Sequence, residues 1–506
     1  MEKFDVVIIG SGLGGLTAGA TLANKGKKVL VIEQHYSFGG CATNFKRKGC
    51  EIDASLHLLD GLGESDSKFK IFQELGVFKN VELLPTPEFY NFTSGDTQIT
   101  IPYGYDAIET TLINKFPEEE KSIKKFIKVV KTVRNEIDII AKLPKWKRNM
   151  LLPFAFLVFP YTIRYIKQNV GDFLDSITKN EKLKLTLAAN IGFYHDDPYK
   201  MSLVFFCSAN GSFYRDGGYY IKGGSQKLSD YFVKIITDNG GVMINKHLVS
   251  SVLTDRKKAI GVEYHPVNNV NDKKQAFGEY VIANANIPDV AKKLLPEKWA
   301  KKLKKKIRNI EIGPSILCVY LIFNKESKEL GGKNYSIFNL KHDHHNLKDY
   351  RRISQASYDE RPFLYTDYGA IDSQLAAPGK NCATICTLDY LEDWETLDEE
   401  TYKKKKEMVA QILIDRLEQH VPNIREHIEH YEVGTPRTIK RYIKTPNGAI
   451  YGYAQMPLQA LNNRIKYQSP LKNLFFSSAW NFPGGGFAGA IASGWNCAKI
   501  ILKKEK

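Results

Sequence analysis

A glycine turn near the start of the chain constrains the fold more than any other feature of the sequence. The run from Phe4 to Ile9 is short, apolar and β-branched, which is typical of a strand buried on both faces of a parallel sheet. A helix over Leu16 to Asn24, a stop at Gly26 and a second strand over Lys28 to Ile32 are predicted to follow. Between the first strand and the helix lies a turn with the spacing G-x-G-x-x-G, formed by Gly10, Ser11, Gly12, Leu13, Gly14 and Gly15.

This succession of strand, turn, helix and strand predicts a dinucleotide site. Gly10 permits the tight turn, Gly12 lets a pyrophosphate approach the backbone, and Gly15 lets the helix lie close to the strand. The unpaired N–H groups at the start of the helix would face the phosphates. Glu33, followed by Gln34, ends the second strand, where a carboxylate can accept hydrogen bonds from ribose hydroxyls. A glycine-rich turn in some other α/β protein is the alternative.

A second glycine pair follows the acidic residue. This pair is Gly39 and Gly40, and it is followed by Cys41, Asp53, Leu56 and His57. Together with the first turn, this arrangement resembles the flavin oxidoreductases that share the amine-oxidase fold. Within them it is similar to the phytoene desaturase group, and most closely to its retinol saturase and carotenoid isomerase branch. The desaturases usually place arginine after the second glycine pair, whereas Cys41 stands there in this chain.

The far end of the chain shows the same resemblance. A predicted strand from Leu471 to Trp480 runs into a glycine-rich turn and then a helical stretch rich in small residues. A helix start beneath a reduced flavin would offer N–H groups and a positive dipole end to its negative charge. The flavin contacts predicted here are Ala479, Gly485, Gly486 and Phe487. A merely flexible loop is the alternative.

The resemblance implies FAD as cofactor and a Rossmann-type FAD-binding domain of the amine-oxidase and phytoene-desaturase type, in the α/β class. Gly39, Gly40, Cys41 and Leu56 would lie along the cofactor, and Val249 matches the family position that contacts adenine. We expect the FAD-binding domain to comprise residues 1–86, 211–300 and 439–506. An inserted α+β domain, facing substrate and membrane, would comprise residues 87–210 and 301–438.

Composition narrows the choice of partners and compartment. Seven cysteines without a C-x-x-C pair favour a reduced compartment and no metal site. The net charge of +16 favours an anionic surface as partner, and a membrane rather than nucleic acid, because no nucleic-acid module is present in the sequence. The first strand begins almost at once, so we expect no signal peptide. The predicted location is therefore cytoplasmic, peripheral on the membrane.

One apolar segment indicates where the membrane would be met. Met150 to Ile163 is apolar and aromatic, carries two prolines, and has basic residues on both sides, such as Arg148 and Arg164. It is shorter than the roughly 20 residues that a spanning helix needs. Monotopic insertion at the interface suits such a segment. A buried wall of the substrate cavity is the alternative.

The sequence contains no second G-x-G-x-x-G, so NAD(P)H or another electron carrier would have to dock transiently. The resemblance implies a long apolar polyene, carotenoid-like or retinoid-like, as substrate. Three functions compete: saturation or desaturation of a C=C bond, redox-neutral cis–trans isomerisation, and non-enzymatic transport of a prenyl lipid on the same fold.

His57 is the candidate catalytic residue. In the resembled fold, the chain after the second glycine pair passes beside the flavin ring, which would place His57 near the substrate. Its imidazole could protonate the carbon that receives no hydride, or donate a hydrogen bond near the flavin N5. A structural histidine satisfied by the backbone is the alternative.

Overall fold

The computed structural model describes residues 3–332, 334–341 and 345–504. The strands are β1 (Lys3–Ile9), β2 (Val29–Ile32), β3 (Asn44–Arg47), β4 (Cys50–Asp53), β5 (Leu59–Asp60), β6 (Leu83–Pro85), β7 (Tyr90–Ser94), β8 (Thr97–Ile101), β9 (Gly218–Ile221), β10 (Val242–Ile244), β11 (His247–Asp255), β12 (Lys258–Pro266), β13 (Lys274–Ala283), β14 (Ser315–Phe323), β15 (Ser336–Leu340), β16 (Phe363–Asp367), β17 (Asn381–Asp389), β18 (Ile428–Gly434) and β19 (Leu474–Phe476).

The α-helices are α1 (Leu13–Ala23), α2 (Ser67–Leu75), α3 (Val77–Asn80), α4 (Tyr105–Lys115), α5 (Glu120–Lys142), α6 (Lys145–Leu151), α7 (Ala155–Val158), α8 (Pro160–Tyr165), α9 (Val170–Asp175), α10 (Glu181–Leu187), α11 (Leu203–Asp216), α12 (Gln226–Asp238), α13 (Ile287–Asp289), α14 (Glu297–Ile307), α15 (Tyr350–Ser354), α16 (Glu399–Glu418), α17 (Pro436–Ile443) and α18 (Gly486–Lys504). Helices α4 to α11 follow one another between β8 and β9, whereas the other helices stand between strands along the chain, except α18, which follows the last strand.

The first sheet has the order β10-β2-β1-β13-β12-β11, with β19 paired to β13. Strands β10, β2, β1, β13 and β19 pair in parallel, so their carboxyl ends meet at one edge. Helix α1 packs against α12 and α18, and its small residues are buried along its whole length. The parallel order and the helices packed on it confirm the predicted α/β fold with a Rossmann-type first unit. In such sheets, ligands bind at the edge where the carboxyl ends meet.

The second sheet has the order β18-β14-β17-β16-β15-β7-β8 and is antiparallel except where β15 meets β7. Its two faces are used differently, because side chains alternate along a strand. From β14, Leu317, Val319 and Leu321 pack in a core with Leu413 and Leu417 of α16. The intervening residues of β14 face a cavity between the two sheets, namely Ile316, Cys318 and Tyr320.

A helical layer completes the part of the chain built on the second sheet. Helices α4, α5, α9, α10 and α11 share a core with β7 and β8. Helix α5 buries Ile123, Phe126 and Val130 on one face, as its three-four spacing requires. Helix α11 packs against α5 and runs across residue 211, where the sequence predicts a domain boundary. The domain limits themselves stay a prediction.

The apolar segment 150–163 forms the end of α6, a 3-10 turn, α7 and the start of α8. Its large side chains are unusually exposed: Leu152 by 70%, Leu157 by 67% and Phe156 by 61%. Phe159 is an exception, because it is only 5% exposed. Within the described ranges no helix is both long and apolar enough to cross a bilayer.

Candidate active site

The first glycine turn lies where the carboxyl ends of β1 and β13 meet the start of α1. Gly12 is the N-cap of α1, and no side chain caps the helix. A Cβ on Gly15 would lie 2.4 Å from the carbonyl oxygen of Gly10, so the close approach of helix and strand requires glycine there. A Cβ on Gly12 would lie 2.7 Å from Oδ1 of Asn284. The turn therefore presents free helix N–H groups to an anion, as a pyrophosphate requires.

Glu33 is held firmly at the end of β2. Its Oε2 accepts hydrogen bonds from the backbone N–H and the hydroxyl of Ser11, both at 2.7 Å, and its Oε1 accepts from the N–H of His35 at 2.8 Å. The carboxylate lines the cavity, although the residue is only 7% exposed. An oriented carboxylate beside the glycine turn suits a ribose. Ser11 acts from behind, as a support for Glu33.

The second glycine pair packs directly on the first turn. The N–H of Gly39 donates to the carbonyl oxygen of Ser11 at 3.0 Å, and the backbones of Gly12 and Gly39 pair side by side in parallel, as in a β-sheet. Gly40 and Cys41 follow along the cavity wall. Burial raises the pKa of Cys41 to about 11, so its side chain is a neutral thiol at physiological pH.

The C-terminal helix also begins at the cavity. Helix α18 starts at Gly486, and the residues before it pass along the wall. Arg464 supports this turn from behind: its guanidinium donates to the carbonyl oxygens of Ala479 at 2.8 Å and Tyr453 at 3.0 Å, and to Oε1 of Gln455 at 3.1 Å. Burial lowers the pKa of Arg464 to about 9. A second helix start thus points at the same cavity as α1.

His57 lies at the junction of the two sheets, with both ring nitrogens engaged. Its Nδ1 is 2.8 Å from the Tyr368 hydroxyl, and that hydroxyl donates to the carbonyl oxygen of Leu56 at 3.0 Å. A hydroxyl has one proton to donate, so Nδ1 must carry the proton of the imidazole. Nε2 then accepts, and Sγ of Cys386 lies 3.3 Å from it. Burial lowers the pKa of His57 to about 4, which keeps it neutral.

Asp53 fixes the loop that carries His57. Its carboxylate accepts from the N–H groups of Ser55, Leu56 and Ser225, and from the hydroxyls of Ser225 and Tyr220. The carboxylate is almost fully buried, and burial raises the pKa of Asp53. Saturating a buried carboxylate with donors restricts the loop to one conformation. Ser225, which ends the turn Gly223-Gly224-Ser225 before α12, is therefore joined to the loop that carries His57.

One cavity of about 1710 Å³ joins all these features. A site for a drug-sized ligand spans roughly 300–1,000 Å³, so the cavity has room for a dinucleotide and a second large ligand. Most predicted site residues line it: Gly10, Gly12, Leu13, Gly14, Glu33, Gln34, Gly39, Gly40, Cys41, Leu56, His57, Val249, Ala479, Gly485, Gly486 and Phe487. Ser11 and Gly15 support the turn from behind. Their roles toward a cofactor stay predictions.

The donor set fits FAD. A helix start without a side-chain cap can bind a pyrophosphate, Glu33 can hold a ribose, and the start of α18 offers N–H groups to a negatively charged flavin ring. Sequence reasoning missed several residues of this cavity, because tertiary contacts alone bring them there. They are Asn284, Tyr451, Gln455, Cys318 and Cys386 on the wall, with Tyr368 and Arg464 behind it.

The remaining wall is largely apolar and comes from both the second sheet and the helical layer. It includes Leu185, Phe193, Phe205, Phe213, Phe338 and Leu388. A smaller charged part of the wall consists of paired groups: Nζ of Lys68 lies 2.8 Å from carboxylate oxygens of both Asp60 and Asp66, and Arg134 lies 3.0 Å from Asp66. A long apolar ligand with one polar end would match both parts.

Comparisons with known proteins agree with this geometry. The chain is 29% identical to an all-trans-retinol 13,14-reductase of Danio rerio, over 100% of this chain and 87% of the relative. It is 26% identical to a chloroplastic prolycopene isomerase of Daucus carota, over 99% of this chain and 80% of the relative. The solved structure of cyclohexylamine oxidase from Brevibacterium oxydans has a similar fold, with a TM-score of 0.62 at 16% identity over 100% of both chains.

The resemblance noted from the glycine turns is therefore confirmed by relatives of the predicted branch. The model of one family matches residues 13–502, nearly the entire chain. From this match, the protein belongs to the family of flavin containing amine oxidoreductases.

Proposed function

We propose that this protein saturates or desaturates a C=C bond of a long apolar polyene, carotenoid-like or retinoid-like. The family makes it an FAD-dependent oxidoreductase, as the sequence predicted. The observation that carries the proposal is the single cavity, which leads from the dinucleotide turn to a wall of phenylalanine and leucine side chains. The retinol reductase relative, which aligns over the whole chain, supports a substrate of this class.

Bound FAD can transfer a hydride to or from carbon without a metal. The protein's own contribution begins with binding, since the apolar wall favours a polyene over water. Rigid positioning comes from Asp53, which holds the loop of His57, and from Tyr368, which fixes the imidazole tautomer. His57 would have to exchange the Cys386 thiol for substrate, and take up a proton at Nε2, before it could protonate a substrate carbon. Its catalytic role stays a prediction.

Redox-neutral isomerisation is the second candidate, because the prolycopene isomerase relative aligns over 99% of this chain. One experiment separates the candidates. The bound flavin is reduced anaerobically, a polyene alcohol is added, and the absorbance of the flavin and the double bonds of the product are followed. Reoxidation with one double bond fewer indicates a saturase, and an unchanged number of double bonds in a rearranged product indicates an isomerase. Reduction of oxidised flavin by the substrate indicates a desaturase.

A non-enzymatic lipid carrier is the third candidate, and the intact dinucleotide turn with Glu33 argues against it. Purified protein that contains no flavin after heat release would support the carrier. Protein that holds FAD but converts neither retinoid nor carotenoid alcohols or hydrocarbons in any direction would overturn the polyene proposal.

We also propose that the segment 150–163 rests on an anionic membrane. Its exposed apolar side chains stand among basic residues, and the net charge of the protein is +16. The cavity is lined by Ile137 and Ala141 of α5, the helix that precedes the segment in the chain, but by no residue of the segment 150–163 itself. The cavity therefore passes close to the segment without using it as a wall. A lipid substrate could enter the cavity at that place.

The electron donor is proposed to dock at a basic part of the cavity rim. The basic residues that line the cavity there are Lys293, Lys406, Arg437, Arg441 and Lys444, of which Lys293 pairs with Asp289 and Arg437 with Glu399. Cationic side chains at a cavity mouth attract anions such as the phosphates of NAD(P)H or an acidic carrier protein. Flavin reduction by NAD(P)H should then slow as salt is added, because salt screens this attraction. A rate that does not depend on ionic strength would contradict docking at this rim.

A further inference from the structure

Two cysteines face each other on the cavity side of the second sheet. Cys318 of β14 and Cys386 of β17 are direct partners in the antiparallel register. Both belong to the alternating set that lines the cavity, together with Ile316 and Leu388 on the same strands. Their Sγ atoms lie 3.1 Å apart. The strand register therefore brings two thiols together inside the cavity.

The geometry of this pair suits a disulfide. Opposed residues on one face of an antiparallel pair have Cβ atoms about 4.5–5.5 Å apart, whereas a disulfide needs roughly 3.5–4.5 Å. A small closing movement of two strands is therefore enough to form the bond. A metal site is the other use of such thiols, but the described residues contain no group of three or more His, Cys, Asp and Glu side chains that could hold an ion.

A base stands next to the pair. Nε2 of His57, the nitrogen that carries no proton, lies 3.3 Å from Sγ of Cys386. Burial raises the pKa of the Cys386 thiol, so little thiolate forms there. Burial also holds the pKa of His57 near 4, so Nε2 assists the reacting sulfur as an acceptor of its S–H hydrogen bond rather than by taking the proton. The arrangement thus supplies both sulfurs and an acceptor for the S–H hydrogen bond.

We propose that Cys318 and Cys386 form a reversible disulfide across the cavity wall, with a small peroxide as the oxidant. In the first step a thiol of the pair attacks the peroxide O–O bond, giving a sulfenic acid and one molecule of water from hydrogen peroxide. The second thiol then displaces the hydroxyl group, which leaves as a second molecule of water. Two thiols are oxidised and one peroxide is reduced, so electrons and protons balance. This inference goes beyond the proposed function and does not depend on it.

Oxidation of the pair would change the surroundings of His57. The disulfide carries no S–H, so Nε2 would lose its donor from Cys386 while Nδ1 keeps Tyr368. A buried acceptor without a donor is unfavourable, and Nε2 would then seek water or a ligand in the cavity. The oxidation state of the two sulfurs is thereby coupled to the hydrogen bonding of His57, the residue predicted to lie near the substrate.

The test counts thiols in the FAD-loaded protein. Reduced protein is freed of reductant, exposed to hydrogen peroxide, treated with catalase, denatured and alkylated, and its intact mass is measured. Untreated protein should take up seven alkyl groups, one for each cysteine. Oxidised protein should take up two fewer, and dithiothreitol should restore the full number. Seven alkyl groups after oxidation, or a loss that dithiothreitol does not reverse, would overturn the proposal.

Peptide mapping identifies the partners. Trypsin leaves Cys382 and Cys386 on one peptide, so variants must separate them. The cross-link to the peptide of Cys318 should persist in Cys382→Ser and disappear in Cys386→Ser. The side chain of Cys50 is hydrogen-bonded to that of Cys382, so these two thiols are the competing pair. A cross-link between the peptides of Cys50 and Cys382 instead would refute the assignment.

A matched control is provided by Cys207, a fully buried thiol of α11 whose pKa burial also raises. Cys207→Ser should leave the loss of two thiols unchanged, and His57→Phe should slow it several-fold. If the serine variants of the pair do not fold, fragmentation of the cross-linked peptides from wild-type protein still decides between Cys382 and Cys386.

Discussion

Nδ1 of His57 lies 2.8 Å from the hydroxyl of Tyr368, and that hydroxyl donates onward to the carbonyl oxygen of Leu56. The order of donors assigns the imidazole proton to Nδ1 and leaves Nε2 as the acceptor. The tautomer is thus determined by the neighbouring loop rather than by solvent. A histidine held in one tautomer, at the boundary between two sheets, is suited to a role in positioning or in proton transfer.

The first prediction concerns the pH dependence of stability. The folded protein holds the pKa of His57 near 4, against 6.5 for the ordinary side chain. The unfolded chain therefore binds a proton more readily below pH 6.5, so the free energy of unfolding should decrease as pH falls toward 4. His57 alone should account for a loss of at most about 3 kcal/mol.

Denaturant unfolding at several pH values, in wild type and in His57→Gln, measures this contribution. The variant should be less stable at neutral pH and should lose less stability on acidification. Curves for the two proteins that stay parallel between pH 7 and pH 4 would show that His57 is not buried as a neutral group.

The second prediction concerns the cofactor. Glu33→Ala should weaken FAD binding by roughly 10–100-fold, because a charged hydrogen bond is worth about 1.5–3 kcal/mol. Ser11→Ala is the matched control, since it removes one donor to the carboxylate but leaves the backbone N–H in place. Its effect on FAD affinity should be smaller. Equal affinity of Glu33→Ala and wild type, measured by flavin fluorescence titration, would exclude Glu33 from the site.

The third prediction concerns the membrane. Phe154 and Phe156 are 55% and 61% exposed, so replacing both by serine should release the protein from anionic liposomes without loss of flavin. Each lost phenylalanine removes about 1.5–3 kcal/mol of apolar burial in the bilayer. Phe159→Ser is the contrasting variant: the side chain is 5% exposed, so the change should lower the melting temperature rather than the binding.

Co-sedimentation with vesicles of anionic lipid, at low and high salt, measures both effects. Binding of the double variant equal to that of wild type would remove the segment from the interface. Loss of wild-type binding at high salt would identify basic residues, rather than inserted side chains, as the source of affinity.

The glycine turn and its strand could be read from the sequence because the signal is local. The G-x-G-x-x-G spacing lies within one strand and one helix, and Glu33 comes at the end of the next strand. The surroundings of Gly12 could not be predicted in this way. A side chain there would strike Asn284, which follows β13 far along the chain, so Gly12→Val would disturb the fold as well as the pyrophosphate site.

The pairing of Cys318 with Cys386 had no sequence signal for a similar reason. The two cysteines are 68 positions apart in the sequence, so their strands must first pair in one register before the sulfurs meet. A shift of one residue would turn one cysteine to the opposite face of the sheet. The exposure of the side chains in the segment 150–163 could not be predicted from the sequence either, since an apolar run alone does not distinguish an inserted segment from a cavity wall.

The last prediction concerns catalysis by His57. In a single-turnover reaction of reduced enzyme with a polyene alcohol, His57→Phe should slow flavin reoxidation by about 10²–10⁴-fold if the imidazole takes part in proton transfer. Tyr368→Phe keeps the imidazole but removes the hydroxyl that fixes its tautomer, so it should slow the reaction less and shift its pH profile. Both variants should retain FAD, because neither side chain belongs to the dinucleotide turn. An unaltered rate and product in His57→Phe would leave His57 with a structural role, between Tyr368 and Cys386.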